Sequence, residues 1–371
     1  MKNPNAIVSR LIRFDTSLTK PPLEVLRSET GLYVELDEGR RVRLDPANPL
    51  SPGFISILEE MSRQKMPVYL EIDPDTKSIT RLLIPFVTRV TRITQIDFDV
   101  FGVELEYSHG RHTLRKENTD YDELKKQIDE AVQSEKPVIL TEDDAHNIID
   151  IRFFIPGTGE PPLARFPGPK FPVWNWWWCL KNWIWHWHIW PWWWFRCVST
   201  IRAQQIFDAM KSTSCDPLTV PVPCIPFLYP DDGCWGRAHE MCRLMINMGR
   251  SPRKVWIQGS LHVNTKNNPN CIVYWGWHVA PTLCVRSRRF FHTNEMVIDP
   301  SLFNTPVTKT TWKSVQGDIN ATLTDSAASQ FQLGGATDPT YSQTNIVLAN
   351  YRLQLQNRAL QFGPPPYAAC P

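Results

Sequence analysis

The stretch from Ile155 to Pro172, IPGTGEPPLARFPGPKFP, carries six prolines and three glycines. Proline fixes φ and removes a backbone donor, so neither a helix interior nor a central strand survives there. The chain must therefore fold as units on either side of it, and 371 residues leave room for two domains with sizeable cores. The expected architecture is α+β. Residues 1–25 read as a tail, 26–155 as a separate small α+β domain, 156–173 as the linker, 174–199 as a tryptophan-rich segment, 200–363 as a second domain and 364–371 as a C-terminal tail.

Local patterns fill in the two units. Gly31 to Leu44 alternates like two short strands around Asp37-Glu38-Gly39. Helical spacing of apolar residues marks 52–65 and 121–133, and proline is tolerated in the first turn of the former. His109 and His112 flank a Gly-Arg turn and read as surface histidines. Beyond the linker, helices are expected from Thr200 to about Ser212 and from Thr344 to Phe362. Strands are expected at 254–261, 271–285 and 290–299. The apolar run of 271–285 is nearly continuous, as in a strand buried on both faces.

Charge excludes some partners. With 40 Lys+Arg against 38 Asp+Glu, the net charge of +2 gives no footprint for nucleic acid. The first 22 residues lack the apolar core of a secretory signal, and no run is a clean apolar membrane span. Cytoplasmic residence is the default expectation, with secretion by another route as the alternative. Nine cysteines keep that alternative open, because all lie after residue 178 and eight of them suffice for four bridges. Cys215 and Cys224 flank a proline-rich loop that a bridge would close. There is no C-x-x-C, and the spacings do not match a zinc pattern.

From Trp174 to Trp194, 11 of 21 residues are tryptophan, in triplets that alternate at every second position. That period is a strand's, with one aromatic face. Contact with a membrane surface or a partner through 174–194 competes with plain packing against the neighbouring domain. His186 and His188, as H-x-H on one strand face, offer half a metal site without a third ligand nearby.

Asp231-Asp232-Gly233 precedes Cys234, and from there Ala238, Met241, Cys242 and Met245 fall on one helical face. A thiol at a helix start feels the positive end of the dipole, which favours thiolate. Gly233 leaves room for a substrate to approach the backbone, while the two aspartates disfavour a second anion. A nucleophilic cysteine needs a base and a group that orients the base. His239 shares the helix but lies about 140° around its axis. His278 lies inside the apolar strand, where an imidazole needs a polar partner. Asp299 ends the next strand and supplies that partner if the two strands are antiparallel neighbours. Against this stands the ordinary case of a satisfied core histidine, an Asp-Pro that ends a strand, and a cysteine that merely packs.

CIPFLYPDDGCWGRAHEMCRLM (224–245), a strand-borne WHVAP (277–281) and VIDPSLF (297–303) together resemble the protein-glutaminase family. The resemblance is strong over about 224–312, weaker to about 362 and absent before about 200. It implies a transglutaminase-like, papain-like cysteine core that deamidates glutamine side chains in proteins or peptides without a cofactor. It further implies Cys234 as nucleophile, His278 as base and acid, and Asp299 as the orienting carboxylate. The Cys234 backbone N–H would be one oxyanion donor, with the second unassigned. The rival readings are a transglutaminase or cysteine peptidase on the same core, or an inactive binding protein that uses the tryptophan-rich segment.

Overall fold

The computed structural model describes residues 5–15, 21–28, 31–155, 197–218, 224–286 and 292–371. The linker, the tryptophan-rich stretch with His186 and His188, and Cys179 lie outside the described residues. The N-terminal half runs β1 (Ala6–Phe14), α1 (Pro22–Ser28), β2 (Leu32–Leu36), β3 (Arg41–Leu44), α2 (Ser51–Arg63), β4 (Pro67–Ile72), β5 (Ile79–Leu83), β6 (Phe86–Thr88), β7 (Val90–Asp97), β8 (Val100–Leu105), β9 (His112–Arg115), α3 (Tyr121–Ser134), β10 (Val138–Glu142) and β11 (Ile148–Phe153). The C-terminal half runs β12 (Val198–Ser199), α4 (Thr200–Lys211), α5 (Cys234–Asn247), β13 (Arg253–Asn264), β14 (Ile272–Arg286), β15 (Thr293–Val297), β16 (Val307–Thr308), α6 (Lys309–Ser314), β17 (Thr322–Ala327) and α7 (Ser342–Phe362).

The N-terminal half is one motif built twice. In the first copy the strand order is β3-β2-β1-β4-β5, with a register shift inside β1 between Leu11 and Arg13. In the second, β6 and β7 together take the place of β1, giving β7-β8-β9 on one side and β11-β10-β6 on the other. The same local solutions recur about 70 residues apart. Asn48 and Asn118 each accept the N–H two residues on and donate Nδ2 to a carbonyl, of Ile79 and Ile148 respectively. Lys65 and Glu135 both take positive φ just past the helix, and Lys77 and His146 both take it in the final hairpin. Helix α2 buries Phe54, Ile57, Leu58 and Met61, and α3 buries Leu124, Ile128 and Ala131. The copies differ at one hairpin. The turn Asp37–Gly39 between β2 and β3 is at the surface, whereas its counterpart, Ser108–Arg111 between β8 and β9, runs into the protein interior.

Three expectations need correction. The stretch expected to be a tail contains β1, which is the central strand of its sheet, with Ile7 and Leu11 in the core. The tail 364–371 is tied down by the Cys271–Cys370 disulfide. The N-terminal half is also not separate. Val103, Leu114, Leu124 and Leu140 share one apolar cluster with Cys234, Trp235, Ala238, Trp256 and Tyr351. Helix α7 knits the halves further: Leu353 joins the core of the first copy, and Gln354, Gln356 and Asn357 donate to Ile84 O, Ser56 Oγ and Leu82 O. Its buried residues fall around the whole helix because it has neighbours on several sides.

In the C-terminal half the sheet order is β16-β15-β14-β13-β17, with β12 parallel to the far end of β14. Helix α5 packs on β14. Disulfides join Cys197 to Cys284 and, as the proline-rich loop suggested, Cys215 to Cys224. Cys234 and Cys242 are free and buried.

Candidate active site

Cys234 is the first residue of α5. An initial helical N–H has no partner inside its own helix, so the Cys234 amide is available to a ligand. Gly233, the N-cap, has φ of 80°, a left-handed value that favours glycine. A Cβ there would meet Tyr351 Cδ2 at 2.3 Å. The space that sequence reading gave to substrate is filled by Tyr351. The thiol itself is 1% exposed. Burial, helped by the nearby Asp232 carboxylate, pushes its pKa well above the ordinary thiol value, and Arg237 and the Val279 N–H only partly offset this. In this arrangement Cys234 is a protonated thiol.

The strands carrying His278 and Asp299 are antiparallel neighbours, paired from Thr282↔Val297 onwards. Past the end of β15 the chain stays against β14 through Ile298 N–H to Pro281 O, 2.9 Å. This brings Asp299 Oδ2 to 2.9 Å from His278 Nε2. The same oxygen accepts the Trp312 indole N–H at 2.9 Å. Burial opposes ionisation of Asp299, but His278 and the Trp312 N–H outweigh it and hold the carboxyl below its usual range. An ionised carboxylate at Nε2 keeps the proton there, which leaves the lone pair on Nδ1. Nδ1 is buried without a hydrogen-bond partner. The ring is clamped between Trp275, stacked at 4.5 Å, and Trp312, stacked at 5.4 Å. Trp312 lies in the short helix α6, and nothing in the local sequence pattern marks it.

The structure adds a residue that sequence reading assigned to the surface. His109 is 1% exposed. Its Nδ1 lies 3.3 Å from Cys234 Sγ and 2.8 Å from Asp232 Oδ1. Burial lowers its pKa to about 4, against the pull of Asp232, so the ring is neutral near pH 7. Nδ1 holds its proton beside an ionised carboxylate and cannot take one from the thiol, while Nε2 is buried without a partner. His109 therefore covers the sulfur; it is not placed as its base. His112 is buried too. Its Nδ1 is 2.5 Å from Glu142 Oε2, and Glu142 Oε1 is 2.6 Å from His146 Nδ1.

Of the paired aspartates, read from the sequence as working against a thiolate, Asp232 holds this insertion in place and Asp231 is neutralised beside it. Asp232 accepts from Ser108 Oγ (2.5 Å), the His109 amide (3.1 Å), Tyr351 OH (2.5 Å) and Gly233 N–H (2.9 Å). Asp231 is paired with Arg358 at 2.6 Å and accepts from Asn268 Nδ2 at 2.5 Å. The main chain of the inserted turn adds to β14 where β15 no longer covers it: Gly276 N–H donates to His109 O at 3.0 Å and Arg111 N–H to Tyr274 O at 3.3 Å. An antiparallel bridge joins Gly110 to Trp275. An open cleft lined by Tyr107–His112, Trp277 and Gln332–Gly334 leads away from His109. His239 points elsewhere, as its helical position required: Nδ1 accepts from Lys254 at 2.9 Å and Nε2 bonds Asp338 O at 3.2 Å.

The comparisons with known proteins converge on one group. Residues 203–316 match the family model Gln_deamidase_2, described as glutaminase. A crystal structure of pro-protein-glutaminase is 20% identical with a TM-score of 0.50, over 78% of this chain and 99% of that one, a likeness of fold that includes the N-terminal half. A crystal structure of protein-glutaminase is 29% identical with a TM-score of 0.38, over 43% of this chain and 90% of that one. An NMR structure of protein-glutaminase from Chryseobacterium proteolyticum is 28% identical with a TM-score of 0.38, over 47% and 97%. No curated protein matches the chain by sequence.

Proposed function

The chain belongs to the protein-glutaminase family through residues 203–316, and on that premise we propose that it deamidates glutamine side chains in proteins or peptides and is held latent by its own N-terminal half. The observation that carries the reading is the His278–Asp299 pair beside Cys234, with His278 Nδ1 unpartnered and a ring nitrogen of His278 within 4.8 Å of the sulfur. In the proposed reaction the proton of Cys234 passes to His278 and the thiolate attacks the γ-carboxamide carbon. The Cys234 N–H, free at the helix start, donates to the oxyanion. His278 gives its proton to departing ammonia, then takes one from the water that hydrolyses the thioester. Asp299 holds the imidazole in the tautomer with its lone pair on Nδ1. The product is glutamate, and no cofactor is called for.

Latency follows from the inserted turn. Ser108–Arg111 occupies the free edge of β14 next to the thiol, so a substrate chain needs that edge vacated. No disulfide among the described residues joins the halves, which supports release once the linker is cut. The three disulfides also support the alternative of export over cytoplasmic residence.

The test is ammonia release from a glutamine-rich protein by chain cleaved within 156–196, with mass spectrometry of the substrate. A gain of about 1 Da per glutamine, abolished by Cys234→Ala, supports deamidation. Amine incorporation or peptide cleavage would make the chain a transglutaminase or peptidase, and an unchanged rate in Cys234→Ala would remove the nucleophile.

A further inference from the structure

We propose that His109, Cys234 and His278 form a zinc site that closes only while the N-terminal half is docked, so that the metal locks the latent form. One ligand atom from each residue lies within 4.8 Å of the other two, and all three residues are buried. Around tetrahedral zinc, with bonds of roughly 2.0 Å to nitrogen and 2.3 Å to sulfur, ligand atoms stand about 3.3–3.6 Å apart. The separation of Cys234 Sγ from His109 Nδ1, 3.3 Å, is already of that size.

Three features independent of that distance point to a cation. The Nδ1 of His278 is a buried lone-pair nitrogen without a partner. Its other nitrogen donates to Asp299, the carboxylate–histidine arrangement that orients metal-binding imidazoles. The Asp232 carboxylate, 2.8 Å from His109 Nδ1, supplies negative charge beside the site. A dication bound by one thiolate and flanked by that carboxylate leaves no uncompensated local charge. The cleft beside His109 gives a path of entry.

Binding balances simply. The Cys234 thiol loses its proton to solvent as the S–Zn bond forms. Neutral His109 shifts its single ring proton from Nδ1 to Nε2, and His278 binds through Nδ1, which has no hydrogen-bond partner. No electron is transferred. Because one ligand, His109, comes from the N-terminal half and the other two, Cys234 and His278, belong to the proposed catalytic set in the C-terminal half, metal and substrate exclude each other. The exclusion of substrate rests on the reading of Cys234 and His278 given above; the metal site itself does not.

The experiment uses full-length protein, freed of metal by a chelator and with disulfides intact, titrated with Co2+ as a spectroscopic stand-in for zinc. The expected result is one equivalent bound with a thiolate-to-cobalt charge-transfer band, displaced by Zn2+. The band should vanish in His109→Ala and in Cys234→Ala. The cluster His112, Glu142 and His146 also brings potential ligands together, but it contains no sulfur and gives no such band. Absence of the band in the full-length protein overturns the proposal, and so does a band undiminished in His109→Ala, since the N-terminal half would then be dispensable. Circular dichroism of each variant establishes that it is folded. None of these readouts depends on glutaminase activity, so failure of the metal site and failure of the proposed reaction are told apart.

Discussion

Nδ1 of His109 lies 3.3 Å from Sγ of Cys234, although the two residues are 125 positions apart. A histidine from one half of the chain thus covers the thiol at a helix start in the other.

Accessibility of the thiol should be controlled by the inserted turn. In metal-free full-length protein, Cys234 should react with iodoacetamide at least ~10-fold more slowly than in chain cleaved within 156–196 and separated from its N-terminal half. This is about 1.4 kcal/mol of protection, a small part of what a docked apolar core confers. Equal rates would remove the latency argument.

The Asp299 contact should act on chemistry more than on binding. Asp299→Asn is expected to lower kcat of the cleaved enzyme by roughly 10²–10⁴, since an amide no longer fixes the His278 tautomer. Trp312→Phe removes one donor to Asp299 and should lower kcat less, by about 10-fold, with KM little changed. An equal rise of KM in both variants would point to a role in substrate binding.

Acid should loosen the docked turn. The pKa of His109 is lowered by burial from 6.5 to about 4. Docking therefore disfavours its protonated form, and its adverse contribution is absent above about pH 6.5 and grows as pH falls towards 4, reaching about 3 kcal/mol. His146 works oppositely. Although burial opposes its charge, Glu142 and Asp231 raise its pKa well above 6.5, so its contribution is complete below 6.5 and is lost only at higher pH. Glu142, Asp231 and Asp232, all held low by their partners, lose theirs only below the ordinary carboxylate range. In metal-free protein the denaturation midpoint should fall between pH 6.5 and 4.5, and His109→Gln should flatten that fall. An identical slope in the variant would put the effect elsewhere.

Breaking the buried Asp231–Arg358 pair should be costly. Arg358→Met leaves the Asp231 carboxylate with only Asn268 Nδ2 at 2.5 Å, His146 at 3.3 Å and the peptide frame around it. A loss of about 3–5 kcal/mol is expected, read from urea unfolding; a change below 1 kcal/mol would mean that the remaining partners suffice.

Gly233→Ala should damage the site from beneath. A φ of 80° and a Cβ position 2.3 Å from Tyr351 leave no room for a methyl group. The start of α5 must shift, with a stability loss of about 1–3 kcal/mol from backbone strain alone and loss of ammonia release. Full activity in a stably folded variant would contradict the geometry.

The sequence by itself determined the helices 51–63, 121–134 and 200–211, and the strands on either side of His278. Each rests on signals a few residues long: periodicity, capping and turn residues. It also pointed to Cys234, His278 and Asp299, through three ordered motifs that resemble one family, and the fold brings the three residues together. Only the tertiary structure decided what covers Cys234. The Ser108–Arg111 turn looks like any surface hairpin, and its counterpart at Asp37–Gly39 is one. What draws the former inward is Asp232, Tyr351 and the uncovered edge of β14, all more than a hundred residues away. The duplication of the N-terminal half was hidden for a related reason: the copies share backbone conformation at Asn48 and Asn118 and at Lys65 and Glu135, but few side chains between them. Asp231 and Asp232 show the same limit. As neighbours in sequence they are two repelling anions; in the folded chain Asp231 is paired with Arg358 inside the C-terminal half, and Asp232 accepts from Ser108 and ties the two halves together.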